Sequence, residues 1–536
     1  MVTSAHPEAT RVGLEILKQG GNAVDAAVAT ALAISVVEPF SAGLGGGGFL
    51  LLRLGETNQI VALDFREKAP LRANAHLFLD AKGKVIPKAS IDGHRAVAVP
   101  GTVAGLWAVH QKYGHLPWAT LLKPAIHLAE TGFVVSDRTV KSMTLRQAAL
   151  TANPAAAEIF TKAGQPYKVG DRLLQKDLAK TLHLLAVDPQ SFYSGSLAQA
   201  IAQDMHKHKG LISVLDLKTY TPIWRSPLCG SFQQGKICSM PPPSSGGVHL
   251  IQILNLLSLW HRFPAKSDDP AYLHVLAEAM KIAYADRAEY LGDPDFVKVP
   301  VGLLTSLEYA RQRWRGIQFQ KARPPQQVKA MDKRTLQQLP QESQDTSHLN
   351  VIDRDHNAVS LTFTLNLGFG SGVVVPGTGI VLNNEMDDFV TAPGVPNAFG
   401  LVGNVQNAIA PAKRPLSSMT PTIVTEAGQL RLVAGAAGGS TIITTVLQLV
   451  MNVVVFDQDV STAIHVPKVH HQWRPTPFQI EERAGISQAT LDNLRQRGHS
   501  IELRPSWGNA NIAEVMPNGE LQGTADPRGE GTALGY

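Results

Sequence analysis

The sequence predicts an α+β protein in which two stacked sheets lie between helical layers. Three observations carry this. Residues 346–366 read Thr-Ser-His-Leu-Asn-Val-Ile-Asp, an Arg-Asp-His turn, then Asn-Ala-Val-Ser-Leu-Thr-Phe-Thr-Leu-Asn. Both arms alternate apolar and polar residues, the period of a half-buried hairpin. Residues 100–210 are rich in Ala and Leu and read as mostly helical, with Pro117, Pro124 and Pro154 as punctuation. After residue 346 strands dominate until a helix near Thr441–Val454.

The elements follow in order. Residues 7–37 read as two helices broken at Gln19-Gly-Gly-Asn22, a helix stop signal. The apolar run Ala26–Val37 is shorter than the roughly 20 residues a bilayer needs and reads as a buried helix, so no membrane span is expected. Gly45–Gly48 precedes the apolar strand Phe49–Leu54; the Gly-Lys-Ser/Thr of a phosphate loop is missing, so the glycines read as close backbone packing. Gln59–Phe65 alternates as a strand and delivers Arg66 to its end. Cys229 and Cys238 flank a short hairpin centred between Gln233 and Gln234; a cross-strand disulfide and two buried free thiols both fit. Pro241–Pro243 and Ser244–Gly247 form a stiff loop before an apolar helix around Val248–Trp260. Residues 316–345 turn polar, lack apolar periodicity and read as a linker ending at Thr346. Leu430–Ala434 reads as a strand, Gly435–Gly439 as a turn and Ser440 onward as a helix start.

Composition bounds the function. With 44% hydrophobic and 17% charged residues the chain is ordinary for a globular protein. A net charge of +5 with no basic, aromatic-interleaved stripe argues against nucleic acid. Met1-Val-Thr-Ser-Ala-His lacks the charged start and apolar run of a signal peptide.

The hairpin register places Thr346 opposite Thr364, on one face and about 5 Å apart at Cβ. A threonine hydroxyl needs a base within reach. A threonine at a chain start carries its own, because an α-amino group titrates near roughly 7.7–8.0. Thr346 is thus a candidate nucleophile once the peptide bond before it is cut, and Thr364 the candidate partner that orients its hydroxyl. The same hydroxyl can make that cut by attacking the Asp345 carbonyl. His470-His471-Gln-Trp473 looks metal-like, but adjacent histidines on a strand point to opposite faces, and no His-Glu-x-x-His spacing accompanies them. They read as structural, and no metal or other cofactor is called for.

Six segments in register, Gly45–Gly48, Asp64–Glu67, Pro241–Gly247, Asn383–Phe389, Lys413–Met419 and Ala434–Ser440, closely resemble the γ-glutamyltranspeptidases, as do the endings Asp526-Pro-Arg528 and Gly535-Tyr536. The resemblance implies a four-layer αββα sandwich of the N-terminal-nucleophile hydrolase type. It implies self-cleavage between Asp345 and Thr346, giving a large subunit, residues 1–345, and a small catalytic subunit, residues 346–536, intertwined in one domain. It implies transfer of γ-glutamyl groups from glutathione and related compounds to water, amino acids or dipeptides. Gly438 and Gly439 match the family's oxyanion pair. Arg66, Ser417 and Ser418 match its α-carboxylate contacts, and Asn366, Glu385 and Asp388 its α-ammonium contacts. An arginine fork suits a carboxylate. The family is usually exported, which implies a periplasmic or secreted protein.

The sequence departs from the family pattern at several places. Ser347 stands where threonine is frequent, Asn350 where serine is, and Glu385 where some members have glutamine. Residues 391–404 resemble a lid loop whose aromatic position is Phe399 instead of tyrosine. Without that hydroxyl the lid is expected to be held by apolar contact alone, giving substantial hydrolysis beside transfer. A cephalosporin or glutaryl acylase, a poly-γ-glutamate depolymerase and a non-catalytic self-processing scaffold are the competing readings. Asp388 beside Arg66 argues against a glutaryl group, which has no ammonium.

Overall fold

A computed structural model describes residues 1–260, 262–330, 346–483 and 485–536. Two antiparallel sheets stack at its centre. The first has seven strands in the order Thr532–Leu534, Val2–Ser4, Ser347–Ile352, Ala358–Thr364, Gly47–Arg53, Ile60–Phe65 and Ile223–Arg225. The second has six, in the order Leu521–Ala525, Asn509–Val515, Gln429–Ala437, Thr422–Glu426, Gly235–Ser239 and Leu228–Phe232. Each sheet mixes strands from before and after Thr346, so the two sides of the expected cut share both sheets.

Alternation along the strands builds two cores. In Gly47–Arg53, Leu50 and Leu52 join the core beneath the outer helices, while Phe49 and Leu51 join the core of the opposite face. Helix Ala23–Val37 covers the first sheet and touches the Ser347–Ile352 and Ala358–Thr364 strands. Apolar nearly all round, it is buried at every position. It starts sharply because Asn22 and Asp25 form a capping box, just past Gly20 in the left-handed region. Helices Gly246–Leu257 and Thr441–Val454 cover the second sheet. Each leucine fully buried in these layers contributes about 1.5–3 kcal/mol.

The hairpin has the expected register: Phe363 pairs with Ser347 and Ala358 with Ile352. The glycine run is close backbone packing, as its composition suggested. A Cβ on Gly46 would lie 1.9 Å from the Thr364 carbonyl oxygen, and one on Gly47 2.7 Å from the Glu67 carboxyl. Cys229 and Cys238 are cross-strand partners and form a disulfide, which decides between the two readings left open.

Two expectations need correction. The segment from 316 is not loose throughout: Ile317, Ala322, Val328 and Ala330 are buried, and the Pro325 carbonyl accepts from Trp473 Nε1 at 2.8 Å. These apolar residues are irregularly spaced, so periodicity could not reveal them. The remainder of the linker, including Asp345, lies outside the described residues. The turn expected at Gly435–Gly439 is shorter, because the strand runs on to Ala437. Gly435 belongs to it because a Cβ there would meet the His348 ring at 2.1 Å.

Candidate active site

Thr346 leads into the strand Ser347–Ile352, and Thr364 ends its neighbour, so the register brings their hydroxyls together. Their Oγ1 atoms share a hydrogen bond of 3.2 Å, and Thr364 Oγ1 also accepts from the Asn366 N–H at 2.8 Å. Behind this pair the inter-sheet face is polar. His348 Nδ1 lies 2.8 Å from Thr362 Oγ1, and its Nε2 lies 3.0 Å from Asn350 Oδ1. Burial pushes the His348 imidazole down to about 3, so it is neutral. Its Nε2–H therefore donates to Asn350, and its Nδ1 accepts from Thr362. Asn350 in turn donates to the Asn511 carbonyl at 2.9 Å, tying the two sheets together. Ser347 donates to Glu38 at 2.9 Å. Both departures from the family pattern thus find partners of their own.

Thr346 and Thr364 open into a pocket. Arg66, Asn366, Glu385, Asp388, Ser417 and Ser418 line it, with Gly439 and Phe399 closing one side. Ten of the eleven sequence-predicted site residues that fall within the described structure therefore meet around one cavity. The eleventh, Gly438, sits immediately behind Gly439.

The helix start at Ser440 leaves two donors in place. Gly438 has φ 128° and Gly439 φ 55°, a conformation that costs other residues dearly. Neither backbone N–H has an acceptor among the described residues. Two uncommitted donors at a strand-to-helix junction are the raw material of an oxyanion hole.

At the far end Arg66 is fully buried. Nη1 donates to Glu385, Nη2 to Asp388 at 2.5 Å and Nε to the Pro415 carbonyl at 3.2 Å. Burial opposes its charge, but Glu385, Asp388 and Glu67 more than offset that, so Arg66 stays protonated. Asp64 fixes its backbone by accepting from the Arg66 N–H at 2.9 Å, and Arg225 and Arg414 hold Asp64 in turn. The proline loop explains itself here: Ser245 donates twice to the Ser417 carbonyl, both at 2.8 Å, buttressing the Ser417–Ser418 wall.

The Phe399 loop is held by more than the apolar contact expected of it. The Phe399 ring packs so tightly on Gly439 that a Cβ there would meet it at 2.3 Å. Apolar contact is not the whole anchor, however. Asn397 Nδ2 donates to Asp388 at 3.1 Å, the Ala398 N–H to Asp387 at 2.9 Å, and Gln472 Nε2 to the Phe399 carbonyl at 3.2 Å. Asn366 meanwhile donates to the Asn384 carbonyl at 3.1 Å.

Sequence reasoning gave no role to Asn383, Asn384, Asn397, Gln472 or Glu67. Asn383 receives the Glu385 N–H at 2.9 Å, and Asn384 receives the Leu367 N–H at 3.1 Å. Position within the quoted motifs was the available signal for Asn383, Asn384 and Glu67. His470 bonds Thr444 and Gln472, and His471 accepts from the Trp473 N–H. Among the described residues one group, His94, Asp204 and His208, has metal-ligand spacing. It lies outside the pocket, and His208 Nδ1 is already spent on the Asp204 carbonyl at the end of its helix.

A model of the gamma-glutamyltranspeptidase family matches residues 9–536. The chain is 45% identical over 530 residues to the glutathione hydrolase proenzyme of Escherichia coli (strain K12), covering 98% of this chain and 90% of that one. Among solved structures, a cephalosporin acylase from Bacillus halodurans matches with a TM-score of 0.88 at 29% identity, covering 100% of this chain and 95% of that one. A γ-glutamyltranspeptidase chain from Helicobacter pylori is 44% identical, with a TM-score of 0.60, covering 61% of this chain and 94% of that one. The layered sheets are those of the N-terminal-nucleophile hydrolases, and the chain belongs to the γ-glutamyltranspeptidase family.

Proposed function

We propose that this protein is a self-processing γ-glutamyltransferase and glutathione hydrolase. The observation that carries the reading is the threonine pair, 3.2 Å apart, in one pocket with the Arg66–Asp388 charge pair. Maturation begins when Thr346 Oγ attacks the Asp345 carbonyl carbon. The C–N bond breaks, the nitrogen takes up the proton lost by the hydroxyl and becomes the α-amine of Thr346, and an ester joins the two residues. Water hydrolyses that ester, releasing the Asp345 carboxyl and freeing the hydroxyl.

In turnover the α-amine takes the proton of Oγ as the latter attacks the γ-carbonyl of the donor. Gly438 and Gly439 N–H groups stabilise the oxyanion. The proton passes to the leaving amine, which departs as the free peptide, and a γ-glutamyl ester remains on Thr346. Water or the amine of an amino acid or dipeptide then attacks this ester. Arg66, Ser417 and Ser418 hold the α-carboxylate; Asn366, Glu385 and Asp388 hold the α-ammonium.

Release of a chromogenic anilide from its γ-glutamyl derivative, with and without a dipeptide acceptor, tests the reading. The expected result is activity in both conditions, stimulated by the acceptor; cleavage of a glutaryl but not a γ-glutamyl anilide would favour an acylase. Asp388 beside Arg66 favours the amino-acid head group. The Cys229–Cys238 disulfide supports an oxidising, periplasmic or secreted location. Among the described residues no helix is long and apolar enough to cross a membrane.

Two further outcomes follow from the geometry. The acidic limb of kcat/KM should report the α-amine of Thr346, which acts as base only when neutral. Blocking that amine with an added residue should abolish turnover, and an unchanged acidic limb in the blocked protein would contradict the role. The second outcome concerns the lid. Asn397→Ala removes a hydrogen bond to the Asp388 carboxylate, worth about 1.5–3 kcal/mol. A less securely closed lid admits water to the ester, so the share of γ-glutamyl groups released as free glutamate should rise severalfold. An unchanged partition between glutamate and the dipeptide product would show that this contact does not control water.

A further inference from the structure

Glu67 follows Arg66 into the interior, where Gly47 leaves room for its carboxyl. Among the described residues neither of its oxygens accepts a hydrogen bond, and neither does Glu385 Oε2. Yet both carboxyls converge on one nitrogen, Arg66 Nη1, which brings them close together. Two buried carboxylates cannot bond to each other, but a carboxyl and a carboxylate can. One proton between them satisfies the pair and removes the repulsion.

The charge inventory points the same way. Glu67, Glu385 and Asp388 face a single guanidinium, Arg66, whose Nη1 is 3.5 Å from Glu67 Oε2. Arg287 acts on this group from beyond Asp388, and the phenols of Tyr193 and Tyr220, both kept neutral by burial, complete the surroundings of Glu67. Three carboxylates against two guanidiniums leave one excess negative charge, and one proton cancels it.

We propose that Glu67 and Glu385 hold a single proton between them, and that Glu67 is thereby a positioning residue for the γ-glutamyl head group. The inference rests on the reading of the pocket given above. The shared proton orients Glu385 toward the substrate ammonium and limits the negative charge competing for Arg66. Burial raises Glu67 to about 7 and raises Glu385 well above its ordinary value. Below that range the pair carries one negative charge. Above it the second ionises, and the extra charge beside Arg66 opposes the incoming α-carboxylate.

The test is the pH dependence of KM for a γ-glutamyl anilide in the mature enzyme. The wild-type KM is expected to rise at least about fivefold between about pH 6.5 and 8.5, with kcat much less affected. In Glu67→Gln an amide N–H donates permanently to Glu385, so this rise should flatten, leaving only the titration of the substrate amine. Glu67→Ala should raise KM at every pH. A wild-type KM that stays flat, or a Glu67→Gln profile as steep as wild type, would overturn the shared proton. No turnover of the anilide by the wild type would overturn the reading of the pocket, and this inference with it.

Discussion

Thr346→Ala is expected to remain a single 57.6 kDa chain with no detectable γ-glutamyl transfer or hydrolysis. One hydroxyl is asked both to cut the chain and to accept the acyl group, so its loss removes both steps. No other arrangement in the pocket can substitute. Thr364 is spent on orienting Thr346 and on the Asn366 N–H, and an internal residue has no α-amine. Thr346→Ser should behave differently: it keeps hydroxyl and amine, should self-cleave, and should retain reduced turnover. Denaturing electrophoresis and the anilide assay read both variants. A Thr346→Ala chain that still splits would contradict the account of maturation, and one that still turns over would contradict the account of catalysis.

The second large effect concerns Arg66. Arg66→Ala would leave Glu67, Glu385 and Asp388 buried without their cation, and breaking such a buried pair costs roughly 3–5 kcal/mol. The more informative change is Arg66→Lys, which keeps the charge and loses the fork. Losing part of a buried, charged hydrogen-bond set costs about 2–5 kcal/mol, or roughly 30-fold or more in kcat/KM. Arg66 touches substrate and not the scissile bond in this account, so the Lys variant should still cleave itself. Normal cleavage with full activity would remove Arg66 from the head-group site. Uncleaved but folded protein would place it in maturation as well.

Much of this architecture was legible in the residues. Period-two alternation fixed the hairpin and its register, and with it the approach of Thr346 to Thr364 before any coordinates. The apolar run Ala26–Val37 read directly as a buried helix. Motif position located the pocket residues, although their sequence separation, from 66 to 439, gives no local signal of contact. What escaped was tertiary. Asn397 and Gln472 anchor the lid through contacts that no periodicity encodes, so the lid looked more weakly held than it is. Glu67 stood inside a quoted motif without a role, and only the fold brings it to the same Arg66 nitrogen as Glu385. The packed residues of 316–330 are too irregular for a pattern search to recover.

The central claim is that Thr346 becomes a chain start and carries the acyl group on its own hydroxyl. Mass spectrometry of the small subunit, quenched during turnover of a γ-glutamyl donor, tests it most directly. The account predicts a fragment beginning Thr-Ser-His-Leu, part of it heavier by one γ-glutamyl residue on the peptide that opens with Thr346. A small subunit that starts at any other residue, or an adduct mapping elsewhere in the chain, would contradict it.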